Sequence, residues 1–192
     1  VKPMIRIGIL GDIGSGKSYI AKNFGYPVFN ADKEVGKLYK KNRKIFNKLQ
    51  KALPKYLFTF PVDKKEITKA VLANKTNLRK IIKIVHVEIR KKMNIFLRNN
   101  RNKKIIILDI PLLLENKINK KNDILIFVEA NQKDTMKRLR QRANFNLKIF
   151  KKFKKIQLSL DYKKKKSNFI IKNNFSSKSV KKRIEYIVKK II

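Results

Sequence analysis

The sequence predicts an α/β fold built on a parallel sheet, and three observations carry the prediction. Short apolar runs alternate with longer segments whose apolar residues recur at helical spacing. Two of those runs, "IIILD" and "ILIFVEA", are almost continuously apolar, as strands covered on both faces are. Between the first run and the first helical segment lies "GDIGSGKS" (residues 11–18), and Gly8, Gly11, Gly14 and Gly16, four of the chain's six glycines, fall in or beside it.

Taken in order, residues 4–10 read as a buried strand and 17–24 as the start of a helix. Residues 26–29 read as a second short strand, followed by one helix over 32–53 that Pro54 ends. Pro61 and Asp63 open another helix, with Asp63 as its cap. A long helix spans 76–99, where Leu78, Ile81, Ile82, Val85, Ile89, Met93 and Phe96 share one face. Strands follow at 103–109 and 123–130, then basic helices at 131–142 and 145–161. A last strand at 168–173 leads into an amphipathic helix over 177–192. The stretch 54–101 holds no strand pattern and reads as a helical insertion beside one core domain.

The glycine loop fits G-x-x-x-x-G-K-[ST], with Gly11 first and Gly16-Lys17-Ser18 last. Strand, loop and helix in that order are what a phosphate-binding loop needs. Backbone N–H groups of the loop then face a polyphosphate. Lys17 reaches its β- and γ-phosphates, and the Ser18 hydroxyl ligates Mg²⁺. Gly11, Ile13, Gly14, Ser15, Gly16, Lys17, Ser18 and Tyr19 are therefore the expected ATP contacts.

Composition narrows the classes. The 192-residue chain has no cysteine, which excludes a disulfide framework and thiolate metal sites. No apolar run approaches the ~18 residues of a spanning helix, so a soluble, cytoplasmic protein without a membrane partner is expected. The 51 Lys and Arg against 13 Asp and Glu give +38. Such charge suits nucleic acid, but the basic residues are spread along helical faces rather than gathered in one tail. Lys, Asn, Ile and Phe, all abundant here, share A/T-rich codons. Compositional bias is the reading preferred, with no specific nucleic-acid partner.

Four further features carry chemistry. Asp32 follows the second strand, where it either faces the ligand crevice at the strand ends or caps the next helix. Asp109 ends the third strand in "IIILDIPLLLEN", where it either orders Mg²⁺, directly or through water, or is a buried structural aspartate. Arg138 and Arg142 stand four apart on a helical stretch and share a face, with Arg140 pointing elsewhere. His86, the single histidine, has Arg90 one turn on; the pair reads as a core contact or as a substrate-side contact. Glu115 reads as structural.

Together these residues resemble the dephospho-CoA kinases over nearly the whole chain. "GDIGSGKS" is similar to that family's "GGIGSGKS", "NADKEVG" to its Asp-Ala-Asp segment and "VHVEIR" to its His-Pro-x-Ile segment. "DIPLLLEN" is close to its D-x-P-L-L-x-E, the most discriminating match; "MKRLRQR" resembles its lid arginines and "SNFIIKNN" its closing strand. The resemblance implies a P-loop NTPase fold with a five-stranded parallel sheet flanked by helices. It implies one kinase domain over 1–192, with a core at about 1–53, 102–136 and 165–192. A helical CoA-side insertion at about 54–101 and a helical lid at about 137–164 complete it. It implies transfer of the ATP γ-phosphoryl group to the ribose 3′-hydroxyl of dephospho-CoA, by a monomer using Mg²⁺. Lys17, Asp32 and Asp109 would be catalytic, Arg138 and Arg142 would bind ATP, and Asp32, His86, Arg90 and Asp109 would face the acceptor. By fold analogy, adenine would lie near Asn173 and Asn174. Four positions depart from the pattern: Asp12, Asn30, Val87 and Asn168.

Overall fold

A computed structural model describes residues 3–192, and within it the five apolar runs form one parallel sheet. The strands are β1 (Ile5–Gly11), β2 (Val28–Asn30), β3 (Ile105–Asp109), β4 (Ile124–Ala130) and β5 (Phe169–Asn173), in the order β2-β3-β1-β4-β5. The chain leaves β1 toward one sheet edge and later returns to its other side. The carboxyl end of β1 is therefore the topological switch point, where open α/β sheets hold ligands.

Compact packing divides the chain in two. One unit comprises Val1–Asn30, Asn99–Phe145 and Ile156–Ile192; the other comprises Ala31–Arg98 and Asn146–Lys155. The first carries the sheet, α1 (Lys17–Asn23), and a C-terminal helix, Ser177–Ile191. Ile7, Ile9, Ile107, Ile126 and Ile171 line one sheet face and pack with Ile20, Val180, Ile184 and Ile187 from those two helices. The β-branched side chains suit a pleated, doubly covered surface. Removing one such side chain from water contributes about 1.5–3 kcal/mol. At the opposite end of the strands, Arg6 on β1 bonds the Asp123 carboxylate at 3.0 Å, and both are buried.

The second unit is helical: α2 (Ala31–Lys41), α3 (Arg43–Ala52), α4 (Lys64–Ala73), α5 (Lys75–Asn99) and, after α6 (Gln132–Arg140) of the first unit, α7 (Leu147–Lys154). Leu78, Ile81, Val85, Ile89 and Met93 form the buried stripe of α5, as the spacing predicts. The Lys152 ammonium donates to the carbonyls of Val71 and Leu72 at 2.7 and 2.9 Å. It thereby satisfies the carbonyl end of α4.

Two expected helices are each a pair. The stretch 32–53 breaks at Asn42, whose side-chain oxygen accepts the Ile45 N–H and starts α3. The stretch 145–161 breaks before Ser159, which caps α8 (Leu160–Lys165) through the Tyr162 N–H. In both places a capping side chain restarts the hydrogen-bond ladder inside an otherwise helical pattern. Asp63 caps α4 as expected, accepting from Lys65 N–H at 2.8 Å.

Candidate active site

The loop 11–18 leaves β1 at the switch point, and its shape depends on glycine. Gly14 and Gly16 have φ of 81° and 91°, in the left-handed region. A side chain at Gly14 would run into Leu139, and one at Gly16 into the Asn173 amide. Gly16 is the N-cap of α1. Asn173, buried at the end of β5, donates to the Ser15 carbonyl at 2.8 Å and accepts the Phe175 N–H at 2.9 Å. It pins the loop to the end of β5, two strands across the sheet from β1.

Lys17 extends over this loop. Its ammonium donates to the main-chain carbonyls of Asp12 at 2.6 Å and Gly11 at 3.3 Å. The Asp12 carboxylate accepts the Ile13 N–H at 2.7 Å and lines a cavity of about 280 Å³ with Glu129, Thr135, Asp161 and Lys164. A carboxylate in the loop is thus anchored locally by a backbone donor.

Three elements converge beside Lys17. Asn30 ends β2, and its register partner on β3 is Asp109. The Asn30 amide donates to the Asp109 carboxylate and, at 3.4 Å, to the hydroxyl of Ser18 on α1. Asp109 is 3% exposed. Ser18 and Asp109 bring two oxygen donors together, a donor set that suits Mg²⁺. Among the described residues no three His, Cys, Asp or Glu side chains gather as a metal cage. Mg²⁺ ordinarily keeps waters and takes substrate phosphate oxygens, so a partial protein set fits it.

The arginines follow a different geometry from the expected shared face. α6 ends at Arg140, and the Arg142 N–H bonds the Leu139 carbonyl in the turn that follows. The helix stops two residues too early for Arg138 and Arg142 to lie on it together. The Arg138 guanidinium instead stacks over the Phe175 ring, 4.3 Å from its centroid. Phe175 directly follows Asn173 and Asn174, and its ring also borders Gly16. A guanidinium–aromatic pair therefore flanks the loop.

Other expected site residues belong to the helical unit. Asp32 is exposed and lies one residue inside α2, so it belongs to the first turn rather than the cap position. Its charge suits that helix end. His86 and Arg90 lie one turn apart on α5. Partial burial, and then the Arg90 charge, push the His86 imidazole below its usual range, toward the neutral form. Glu115 is structural: it pairs with the buried Lys163 at 2.7 Å and accepts the Leu158 N–H at 3.0 Å.

The departures from the expected pattern have local accounts at two further positions. The Asn168 side-chain oxygen accepts the Leu125 N–H at 2.8 Å, fastening β5 to β4. Val87 is 53% exposed on α5, where a valine needs no special backbone. Sequence reasoning missed the roles of Asn30 and Asn173 as organisers of the loop. Their one signal was position, each being the last residue of a strand.

A family model described as dephospho-CoA kinase matches residues 5–179. The dephospho-CoA kinase of Wolbachia pipientis wMel is 32% identical over 187 residues, covering 95% of each chain. The crystal structure of TT1252 from Thermus thermophilus superimposes with a TM-score of 0.81 at 24% identity, over 100% of this chain and 99% of that one. Dephospho-CoA kinase from Campylobacter jejuni superimposes with a TM-score of 0.62 at 23% identity, over 97% and 96%. Among the described residues, no helix is long and apolar enough to cross a membrane.

Proposed function

This chain belongs to the dephospho-CoA kinase family, and from that membership and the loop geometry we infer how its residues divide the work. The reaction is the ATP-dependent phosphorylation of dephospho-CoA, the last step of coenzyme A synthesis. The glycine loop cradles the ATP phosphates, and Lys17 neutralises charge on the transferring group. The single observation that carries this reading is the Lys17 ammonium held over the loop by the Gly11 and Asp12 carbonyls. Ser18 and Asp109 would hold Mg²⁺, Asp109 directly or through water, and the ion would supply charge neutralisation to the ATP phosphates. Arg138 and Phe175 form a flat, cationic border to the loop that suits the adenine face. Arg142 reaches the phosphates from the turn after α6.

The acceptor is a ribose 3′-hydroxyl. As its oxygen bonds the γ-phosphorus and ADP leaves, its proton must go to a base. Asp32 is that base in our reading. It stands two residues past Asn30, which already belongs to the loop cluster. Asn30 itself, as an amide, has no basicity for the task. His86 and Arg90 serve the acceptor from α5 within a helical substrate-side unit, and residues 137–164 act as the lid. The enzyme works as a monomer in the cytoplasm with two small-molecule substrates and needs neither nucleic acid nor membrane.

Asp32→Asn tests this assignment. It should leave ATP binding within about twofold and lower kcat by about 10²-fold, in the range for loss of a general base. Full activity in Asp32→Asn would reduce Asp32 to a helix-end charge.

A further inference from the structure

We infer that Asn30 is a positioning residue for the divalent-cation site. Its amide fixes Asp109 and Ser18 relative to each other while adding no charge of its own. This role rests on the phosphoryl-transfer reading of Ser18 and Asp109. The sheet register dictates the geometry: Asn30 and Asp109 are directly paired at the last rung of β2 and β3. Their side chains therefore leave the same sheet face side by side. Asp109 is buried at 3% exposure. A buried carboxylate is costly unless donors meet it. The Asn30 amide is one such donor, and the same nitrogen lies 3.4 Å from the Ser18 hydroxyl. One amide thus links the strand that carries the carboxylate to the helix that carries the hydroxyl.

The choice of an amide has a consequence for charge. Two carboxylates in direct register would repel and would call for a shared proton or a bridging cation. With asparagine at position 30 this register pair carries one carboxylate rather than two. One carboxylate offers a free cation less than two would, and nucleotide phosphates would add the charge that the pair lacks. Asn30 sets both the orientation of Asp109 and the charge of the pair.

The test uses the full chain, Mn²⁺ as the probe and two variants. Mn²⁺ binding is followed by EPR, first without nucleotide and then with ADP. Asn30→Asp keeps the shape and adds the charge; it should tighten nucleotide-free Mn²⁺ binding at least tenfold. Asn30→Ala removes the link. It should leave nucleotide-free binding weak and loosen Mn²⁺ in the ADP complex several-fold. It should also raise the Mg²⁺ concentration for half-maximal turnover, with KM for dephospho-CoA within about twofold of wild type. At saturating Mg²⁺, Asn30→Asp should recover turnover that Asn30→Ala loses. Unchanged nucleotide-free Mn²⁺ affinity in Asn30→Asp would overturn the charge argument. A wild-type Mg²⁺ requirement in Asn30→Ala would overturn the positioning role. The EPR readings need no turnover, so a wild-type enzyme inactive on dephospho-CoA would count against the family reaction alone.

Discussion

Arg138 and Arg140 are two residues apart on the same short helix, and the structure separates them sharply. Arg138 stacks on Phe175 beside the phosphate loop; Arg140 is the exposed last residue of α6. Arg138→Ala should raise KM for ATP about threefold to fivefold, the size of an exposed guanidinium–aromatic contact. Arg140→Ala should change it less than twofold. Steady-state kinetics with ATP varied would show this, and equal effects would mean a nonspecific basic surface. The spacing argument from sequence separated Arg138 from Arg140, and in the structure Arg138 stacks on Phe175. It misplaced Arg142, because nothing in "MKRLRQR" marks where the helix stops. The phosphate loop was legible because its glycines are few and its lysine and serine are fixed in order. Asn30 and Asn173 were not legible as organisers, because asparagine is common in this chain and hydrogen-bond partners come only with the fold.

The strands were the most readable elements, since near-continuous apolar runs bounded by polar residues leave few alternatives. The stretches 32–53 and 145–161 were each read as a single helix. Asn42 and Ser159 are the caps that divide them, yet the flanking basic and apolar residues continue a helical pattern across both. One tertiary contact had no sequence signal at all: Arg6 of β1 with Asp123 at the entry to β4, 117 residues apart and both buried. Arg6 also donates to the Ile118 carbonyl at 3.4 Å, and Asp123 accepts the Lys120 N–H at 2.8 Å. Burial pushes the Asp123 carboxyl up, while the Lys120 N–H and the Arg6 guanidinium pull it down. Asp123→Ala strands the Arg6 charge in the sheet and should cost about 3–5 kcal/mol in urea unfolding. Replacing both partners with apolar residues should recover much of that loss. A single variant as stable as wild type would contradict the buried pairing.

At the scale of the whole molecule, two properties compete to define what the protein does. One is a charge of +38 over 192 residues. The other is a loop, a carboxylate and a hydroxyl gathered at the switch point of a parallel sheet. Charge spread over the chain favours any polyanion, with an affinity that falls steeply as salt rises. The site is specific, and its chemistry is phosphoryl transfer to a small acceptor. Among the described residues the basic side chains lie mostly on solvent-facing helix positions, as compositional drift would leave them. The most direct measurement is ATP consumption by the purified protein at physiological salt, with dephospho-CoA, AMP or RNA offered in turn. Turnover should depend on dephospho-CoA, produce coenzyme A and ADP in equal amounts, ignore RNA, and fall by about 10²-fold or more in Lys17→Ala, the scale of a lost transition-state charge contact. ATP consumption stimulated by RNA, or by AMP in preference to dephospho-CoA, would contradict the account.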